Sequence, residues 1–426
     1  MDEHTKRKFN IRLYPIYKMF SWDILFYYAI SFIFVNQVKG LSAATILFID
    51  AFYPIFKIVF GIFCITIIDH IGKRKGLILG NASIAASTLA LITFSGVTAY
   101  VLCAILMAFG FVLKELAEDT FLSNSIPESD HKPNIFSKVD GNGCTLFYYL
   151  DAISSIATGF LFVINAYLPM IISLMFSIVS ILISLKFKDV KSKTITKVSS
   201  EQNLVHYFKD LKHIFKFIFQ SGRLKSLLMF SALMASFAGE FSTFRSALLL
   251  HLNFPTKYFG IVVAVGQLIS ALSTRQQVSF REKFKNRTLA WLSLPVVFSL
   301  ILMSSAIICN LDIVIVSILV VIFLAVFYIT KGPYNTLIKR YYNNFSSSEI
   351  NTKIYTAKSL IESLVRSIFL FFAAFLLRIT DISYALLIIG LVLAILFLLL
   401  LDYMRTRVGL KPEEYRKKDI EFHLLK

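Results

Sequence analysis

The sequence predicts an all-α integral membrane protein with twelve transmembrane helices in two pseudo-symmetric six-helix bundles. Of its 426 residues, 57% are hydrophobic and only 16% are charged, whereas soluble domains are about 45–50% apolar and about 25% charged. Apolar stretches of about 20 residues, long enough to cross a bilayer as a helix, recur along the chain. One long basic connection divides them into two sets of six. This combination argues against a soluble enzyme, a disordered scaffold and a soluble nucleic-acid-binding protein.

The apolar stretches define the twelve predicted spans. Each contains the roughly 20 mostly apolar residues that a membrane-crossing helix needs. The first six cover 17–38, 43–68, 76–95, 98–121, 141–163 and 166–185, and the second six cover 226–250, 258–279, 288–308, 312–336, 353–377 and 382–402.

The basic residues between the spans predict the orientation of the chain. They are concentrated before span 1, in loops 2–3 and 8–9, and in the middle connection, 186–225, which holds ten Lys or Arg. Connections on the other side, such as 96–97 and 165–168, are short and nearly uncharged. Because basic loops stay in the cytoplasm, we expect a multi-pass protein of the cell membrane with both termini cytoplasmic. The same rule explains the net charge of +18, so we expect no nucleic-acid partner.

The middle connection also sets the predicted domain boundaries. We expect an N-terminal bundle at 1–189, a cytoplasmic linker at 190–225, a C-terminal bundle at 226–404 and a cytoplasmic tail at 405–426. Within the linker, apolar residues recur at helical spacing from Leu204 to Ile218. This pattern predicts an amphipathic helix on the cytoplasmic surface of the membrane, with binding of a partner protein as the alternative.

Ionisable residues occur in some spans and not in others. The interiors of spans 3, 6, 9 and 12 contain none. Since an intramembrane charge normally faces a wet cavity or a partner, we expect these four helices to face lipid and the others to surround a polar path. The period of three indicates nested three-helix repeats. The charged positions in the other spans include Asp23, Asp50, Lys57, Lys114, Glu115, Glu118, Asp119, Asp151, Glu240, Arg245, Lys331, Glu362 and Arg366.

The loop between spans 2 and 3 carries a recognisable motif. Its outline is G-x-x-x-D-R-x-G-R-K, which Asp69, Gly72, Lys73 and Arg74 match, whereas Ile65 and His70 depart from it. With this motif, the six-plus-six spans and the basic central connection, nearly the whole chain resembles the major facilitator superfamily. It most resembles permeases of low-GC Gram-positive bacteria.

This resemblance implies a monomeric secondary transporter in the lipid bilayer, with a small-molecule substrate and a coupling ion, for which we expect a proton. It also implies a cytoplasmic gate that holds the outward-facing state by pairing loop 2–3 with the end of span 4. Simple positive-inside charge is the alternative interpretation of the loop. The expected gate residues are Asp69, Gly72, Lys73, Arg74, Glu118 and Asp119.

Seven ionisable residues inside the spans are candidates for proton coupling or for the substrate cavity. Asp151 ranks first because it lies ten residues into span 5, about 15 Å along the helix and close to the midplane of the bilayer. Asp50 ranks second and Glu362 third, whereas Asp23 is expected at the interface. The full set is Asp151, Asp50, Lys57, Glu362, Arg366, Glu240 and Arg245.

Helical spacing predicts how some of these residues are arranged. Asp50 and Lys57 share a face of span 2, about 10 Å apart along the axis. They could bind a polar ligand together or neutralise charges on other helices. Arg366 lies one turn after Glu362, so the two can pair. Glu240 and Arg245 are five residues apart and must contact other helices.

These observations favour proton-coupled export of a small organic solute, because an aromatic-rich cavity with an acidic excess suits such cargo. Uptake of a polar nutrient and a non-transporting sensor on the same fold are the alternatives. The sequence contains no G-x-x-x-x-G-K-[ST] loop for ATP and no cysteine pattern with metal-ligand spacing. We therefore expect no enzymatic activity and no cofactor or metal.

Overall fold

The structure, a computed structural model, describes residues 2–127, 132–190, 213, 215–284, 287–345 and 348–407. These residues form helices joined by short turns, and none of them lies in a strand. The all-α prediction is therefore confirmed. Most of the linker helix predicted from Leu204 to Ile218 and the tail beyond residue 407 lie outside the described residues.

The described residues of the N-terminal part form eight α-helices. The third and fourth, with a turn between them, make up the second predicted span. The helices are α1 Glu3–Ser21, α2 Ser31–Ile33, which continues as a π-helix Phe34–Val38, α3 Ala43–Asp50, α4 Tyr53–Ile71, α5 Lys73–Thr93, α6 Gly96–Ser125, α7 Lys132–Ile164 and α8 Leu168–Lys186.

Among its described residues, the C-terminal part contains seven α-helices, and a short 3₁₀ turn, Thr256–Tyr258, precedes the second of them. Pro295 and Pro333 lie inside two of these helices without ending them. The helices are α9 Gly222–His251, α10 Phe259–Arg275, α11 Gln277–Phe284, α12 Thr288–Ile308, α13 Ile313–Phe345, α14 Ser348–Ile379 and α15 Ile382–Arg407.

Eleven helices in the described part of the chain are long and apolar enough to cross a membrane. They correspond to predicted spans 2 to 12, so each of these predictions coincides with a long apolar helix. The exception is span 1, predicted as one helix over 17–38. Here α1 ends at Ser21, and turns over 22–30 separate it from α2.

Contacts with other helices explain the interruption of the first span. The Nζ of Lys114 on α6 donates to the carbonyl of Trp22 at 3.2 Å, and the Oγ of Ser180 on α8 donates to the carbonyl of Phe20 at 2.8 Å. Carbonyls freed where the helix ends thus find new donors, as a non-helical backbone at membrane depth requires. Phe26 has a φ of 62°, a conformation that a bulky residue rarely adopts.

The third span departs from the expectation that it faces lipid. Helix α5 packs between α6 and α8, and most of its middle is buried. Gly80 allows this close approach, because a Cβ there would lie 2.9 Å from the carbonyl oxygen of Gly110. Small residues commonly bring membrane helices together in this way.

The chain divides into two compact units. The first comprises 1–204 with 252–264, and the second comprises 205–251 with 265–426. Fully buried aromatic residues of α1, Tyr14 and Tyr17, pack in the core of the first unit with Leu113 of α6 and Phe187 after α8. In the second unit, Phe230 of α9 packs against Phe397 of α15, with ring centroids 5.4 Å apart.

Candidate functional site

Asp151 lies on α7 and is half-buried in the first unit. Its carboxylate has no hydrogen bond or ion pair within the described part of the chain. The carboxylate of Asp23 is close enough to repel it. An ionisable group that is partly withdrawn from water and has no fixed counter-ion can change its charge without breaking an ion pair.

Asp50 and Lys57, predicted to share a face of span 2, interact with different partners on α6. The hydroxyl of Tyr100 donates to the Asp50 carboxylate at 2.6 Å, and the Lys57 ammonium pairs with Glu115 at 2.7 Å. Asp50 ends α3 and Lys57 lies in α4, so a turn separates them. The side chains of both residues are thus held by α6, the fourth predicted span.

The interruption of the first span brings Asp23 into the first unit, where we had expected an interfacial residue. Its Oδ1 accepts from the backbone N–H of Ile24 at 2.9 Å. The carboxylate lines a small polar pocket with Asn81, Ser177 and Ser180, and the ammonium of Lys114 attracts it. The sequence indicates that these two groups could lie close together, because it places an acid, Asp23, and a base, Lys114, in two spans of the same half.

Glu118, expected to belong to the gate, is buried in a network with the first helix. The Lys18 ammonium lies 3.4 Å from its Oε1 and also pairs with Asp140 of α7. The Tyr14 hydroxyl donates to Glu118 at 3.1 Å. In this structure, Glu118 therefore joins α1, α6 and α7.

The other gate residues lie at the junction of α4 and α5. Gly72, with φ 87°, forms the turn between the two helices, as expected from its backbone freedom. Asp69 is exposed and Lys73 half-buried. Asp119 is also exposed.

Arg74, the remaining basic gate residue, contacts the end of α8. Its Nη1 lies 3.0 Å from Asp189, and its Nη2 donates to the carbonyl of Leu185 at 2.8 Å. The structure thus places Arg74 against Asp189, where the sequence predicted Glu118 or Asp119. The expected partners belong to span 4, whereas the observed partner follows span 6. Helical periodicity does not show which of these spans packs against loop 2–3.

The second unit contains two ion pairs among its candidate residues. Glu240 on α9 pairs with Arg366 on α14, whose Nε donates to Oε1 at 3.0 Å. Glu362 pairs with Lys358 one turn before it, at 2.7 Å. Glu362 therefore pairs with Lys358 and not with Arg366 as predicted, because Arg366 reaches across to Glu240 on α9.

Arg245 is buried, with 3% of its surface exposed. Its Nη1 donates to the hydroxyl of Tyr328 on α13 at 2.9 Å. Its Nε and Nη2 are also buried but have no hydrogen-bond partner among the described residues. The ammonium of Lys331, one turn after Tyr328, is close enough to repel the guanidinium and has no acidic partner in the described ranges.

Close packing fixes the position of the Tyr328 ring. A Cβ on Gly266 of α10 would lie 2.2 Å from its Cε2 atom, so any larger residue there would force the ring to move. The Oγ of Ser270, one turn later, donates to the Tyr328 carbonyl at 2.7 Å. Helix α10 therefore holds the tyrosine that orients Arg245.

The described residues contain no group of three or more His, Cys, Asp or Glu side chains that could hold a metal ion.

Comparisons with known proteins agree with this architecture. The profile of the Major Facilitator Superfamily matches residues 16–364, and no curated protein sequence matches the chain. A crystal structure of a mutant of nucleoside transporter NupG is similar, with a TM-score of 0.67, 12% sequence identity, and coverage of 92% of this chain and 99% of that chain.

Two peptide-transporter structures are also similar. A POT family transporter in complex with 5-aminolevulinic acid has a TM-score of 0.65 and 13% identity, covering 94% of this chain and 96% of that chain. Peptide transporter POT in complex with alafosfalin has a TM-score of 0.65 and 14% identity, covering 95% of each chain. At these identities the similarity is one of fold.

Proposed function

Because this chain belongs to the Major Facilitator Superfamily, we propose that it is a proton-coupled secondary transporter that exports a small organic solute from the cell. In such a transporter the solute site opens to each side of the membrane in turn. The transporter fold is common to this chain and its structural neighbours. The proton, the direction of transport and the cell membrane are parts of the proposal.

The observation that carries the proposal is that the carboxyl group of Asp151 has no hydrogen bond or ion pair with any other described residue. A coupling residue must bind and release a proton while the substrate site changes its access. Asp50 and Glu362 rank lower, since Tyr100 and Lys358 hold their carboxylates. Proton relays in transporters are commonly built from intramembrane carboxylates.

Exposed aromatic side chains in the first unit favour export over uptake. Aromatic side chains such as Tyr148 are extensively exposed on α7, close to Asp151, and suit an amphipathic solute. Uptake of a polar nutrient is the second candidate, because similar structures are those of a nucleoside transporter and of peptide transporters. A sensor that transports nothing is the third.

The test is transport by the purified full-length protein in proteoliposomes with an imposed pH gradient. A panel of nucleosides, dipeptides and amphipathic aromatic compounds would be assayed for accumulation. A proton antiporter accumulates its solute in the compartment that is initially more acidic. Accumulation in the alkaline compartment would instead indicate proton symport and hence uptake, and no movement of any compound would favour the sensor.

Substitution of Asp151 separates coupling from solute binding. Asp151→Asn should abolish pH-driven accumulation and leave solute exchange at equal pH largely intact, because the neutral amide cannot release a proton. Asp402→Asn is the matched control, since Asp402 is an exposed carboxylate on α15 and should change neither activity. Wild-type accumulation by Asp151→Asn would remove Asp151 from the coupling mechanism.

A further inference from the structure

The second unit has an excess of positive charge among its buried and half-buried ionisable residues. Its two acids in this region, Glu240 and Glu362, are each held by a cation. Arg245 and Lys331 have no acidic partner within the described residues. A buried cation without a counter-ion is costly, so this region favours the binding of an anion.

The unpartnered atoms of Arg245 point to the kind of anion. Its Nη1 is occupied by Tyr328, which leaves Nε and Nη2 without partners in the described part of the protein. These two nitrogens lie on the same edge of the planar guanidinium and carry parallel N–H bonds. Two parallel donors match the two oxygens of a carboxylate.

The same unit contains an arginine that uses this edge to bind an acid. Arg366 donates from its Nε and Nη2 to one carboxylate oxygen, Oε1, of Glu240. Arg245 presents the same edge with no such acid opposite it. Since no described residue supplies an acid for Arg245, we infer that the acid comes from a ligand.

Two further features prepare Arg245 for binding an anion. The hydroxyl of Tyr328 holds the guanidinium in one orientation, and the ring of Tyr328 is itself fixed by Gly266. Lys331 adds a second positive charge one turn away along α13. An orienting contact and a flexible second cation together favour a carboxylate over a neutral polar group.

We propose that the Nε and Nη2 edge of Arg245, assisted by the ammonium of Lys331, binds a carboxylate group of the transported solute. This inference rests on the proposed function only in treating the bound anion as cargo. It narrows the solute class from small organic compounds to organic carboxylates.

Binding can be tested without any transport assay. The purified full-length protein in detergent would be titrated with acetate, benzoate and phenylacetate, and each compared with its uncharged amide at constant ionic strength. Thermal unfolding followed by tryptophan fluorescence reports binding, because a ligand that binds only the folded state raises Tm. We expect at least one carboxylate to raise Tm more than its amide does.

Substitutions then locate the effect. Arg245→Gln should weaken binding of that carboxylate by about tenfold or more, since a charge-assisted hydrogen-bonded pair is lost. Arg245→Lys should weaken it less, because the charge remains without the two parallel donors. Lys331→Gln should also weaken binding, which keeps the test valid if Arg245→Gln fails to fold.

The matched control is Arg378→Gln, which makes the same change at an exposed arginine of the same unit. It should leave carboxylate binding at the wild-type value. Equal Tm values with every carboxylate and its amide would overturn the proposal, as would wild-type binding by both Arg245→Gln and Lys331→Gln. Because this assay measures binding alone, failure of transport with retained carboxylate binding would refute the proposed function and not this site.

Discussion

The buried carboxylate of Glu240 depends on a partner that lies 126 residues away in the sequence. Its side chain is 6% exposed, whereas that of Arg366 is 33% exposed. Removing the cation leaves a negative charge in a region of low polarity, and removing the acid leaves a cation that can partly reach solvent. The two substitutions are therefore expected to differ in their cost.

We predict that Arg366→Gln lowers the free energy of unfolding by about 1–3 kcal/mol, because Glu240 is left buried and unpaired. Glu240→Gln should cost less, and the double variant should cost less than the sum of both. Thermal unfolding of the four proteins in detergent gives this double-mutant cycle. Strict additivity would show that the ion pair contributes nothing to stability.

At the scale of single residues, the sequence identified the charged positions but not their partners. Asp151, Glu240 and Arg245 were found because charge is rare in apolar spans. Helical spacing paired Glu362 with Arg366, whereas the structure pairs Glu362 with Lys358. Partners on other helices depend on how the bundle is packed, and one sequence contains no direct measure of that packing.

At the scale of elements, the interruption between α1 and α2 is the feature that sequence patterns missed. Residues 22–30 contain neither Gly nor Pro and read as a continuous apolar helix. The break depends on donors from α6 and α8 that satisfy the carbonyls of Trp22 and Phe20. Such contacts between distant segments override local helix propensity.

We predict that Lys114→Gln loosens this interruption, since a shorter neutral side chain cannot hold the Trp22 carbonyl in the same way. Amide hydrogen exchange of a peptide covering 22–30 should become faster by about fivefold or more, as one charge-assisted hydrogen bond is lost. Lys138→Gln, at an exposed lysine of α7, is the control and should leave the exchange unchanged. An unchanged rate in Lys114→Gln would mean that other contacts maintain the break.

Helix α10 should act on Arg245 through Tyr328. Gly266→Ala would push the tyrosine ring away and should lower both Tm and the affinity for the carboxylate probe, because the guanidinium loses its orienting contact. Gly61→Ala is the control, since a Cβ there meets nothing within 4 Å. Normal carboxylate affinity in Gly266→Ala would show that Tyr328 does not orient Arg245.

The gate motif can be tested through its observed partner. Arg74 and Asp189 should couple by about 0.2–1 kcal/mol in a double-mutant cycle of thermal stability with Arg74→Ala and Asp189→Asn, as expected for an exposed ion pair. Arg74 and Glu118 should behave additively. The reverse result would restore the pairing that the sequence predicted between loop 2–3 and the end of span 4.

At the scale of the whole molecule, the two units differ in the charges they contain. The first unit carries the acids Asp23, Asp50 and Asp151, and the second carries Arg245 and Lys331, two cations with no acidic partner among the described residues. We propose that this difference separates two tasks, with the first unit binding the proton and the second binding the carboxylate of the solute.

Composition and hydropathy were sufficient to predict the helical membrane fold, and the loop motif with the six-plus-six division was sufficient to predict the family. Both signals are distributed along the chain, so single errors such as the first span do not remove them. The solute and the direction of transport depend on a few side chains and their surroundings, which composition and periodicity do not describe.

The most direct test of the account is whether movement of a solute drives movement of protons. Proteoliposomes containing the protein, a pH-sensitive dye and a transported solute would be diluted into solute-free buffer at the same pH. The account predicts that solute leaving the vesicles draws protons inward, so the lumen acidifies with the wild-type protein but not with Asp151→Asn. Solute efflux by the wild-type protein without a change in lumenal pH would contradict proton coupling.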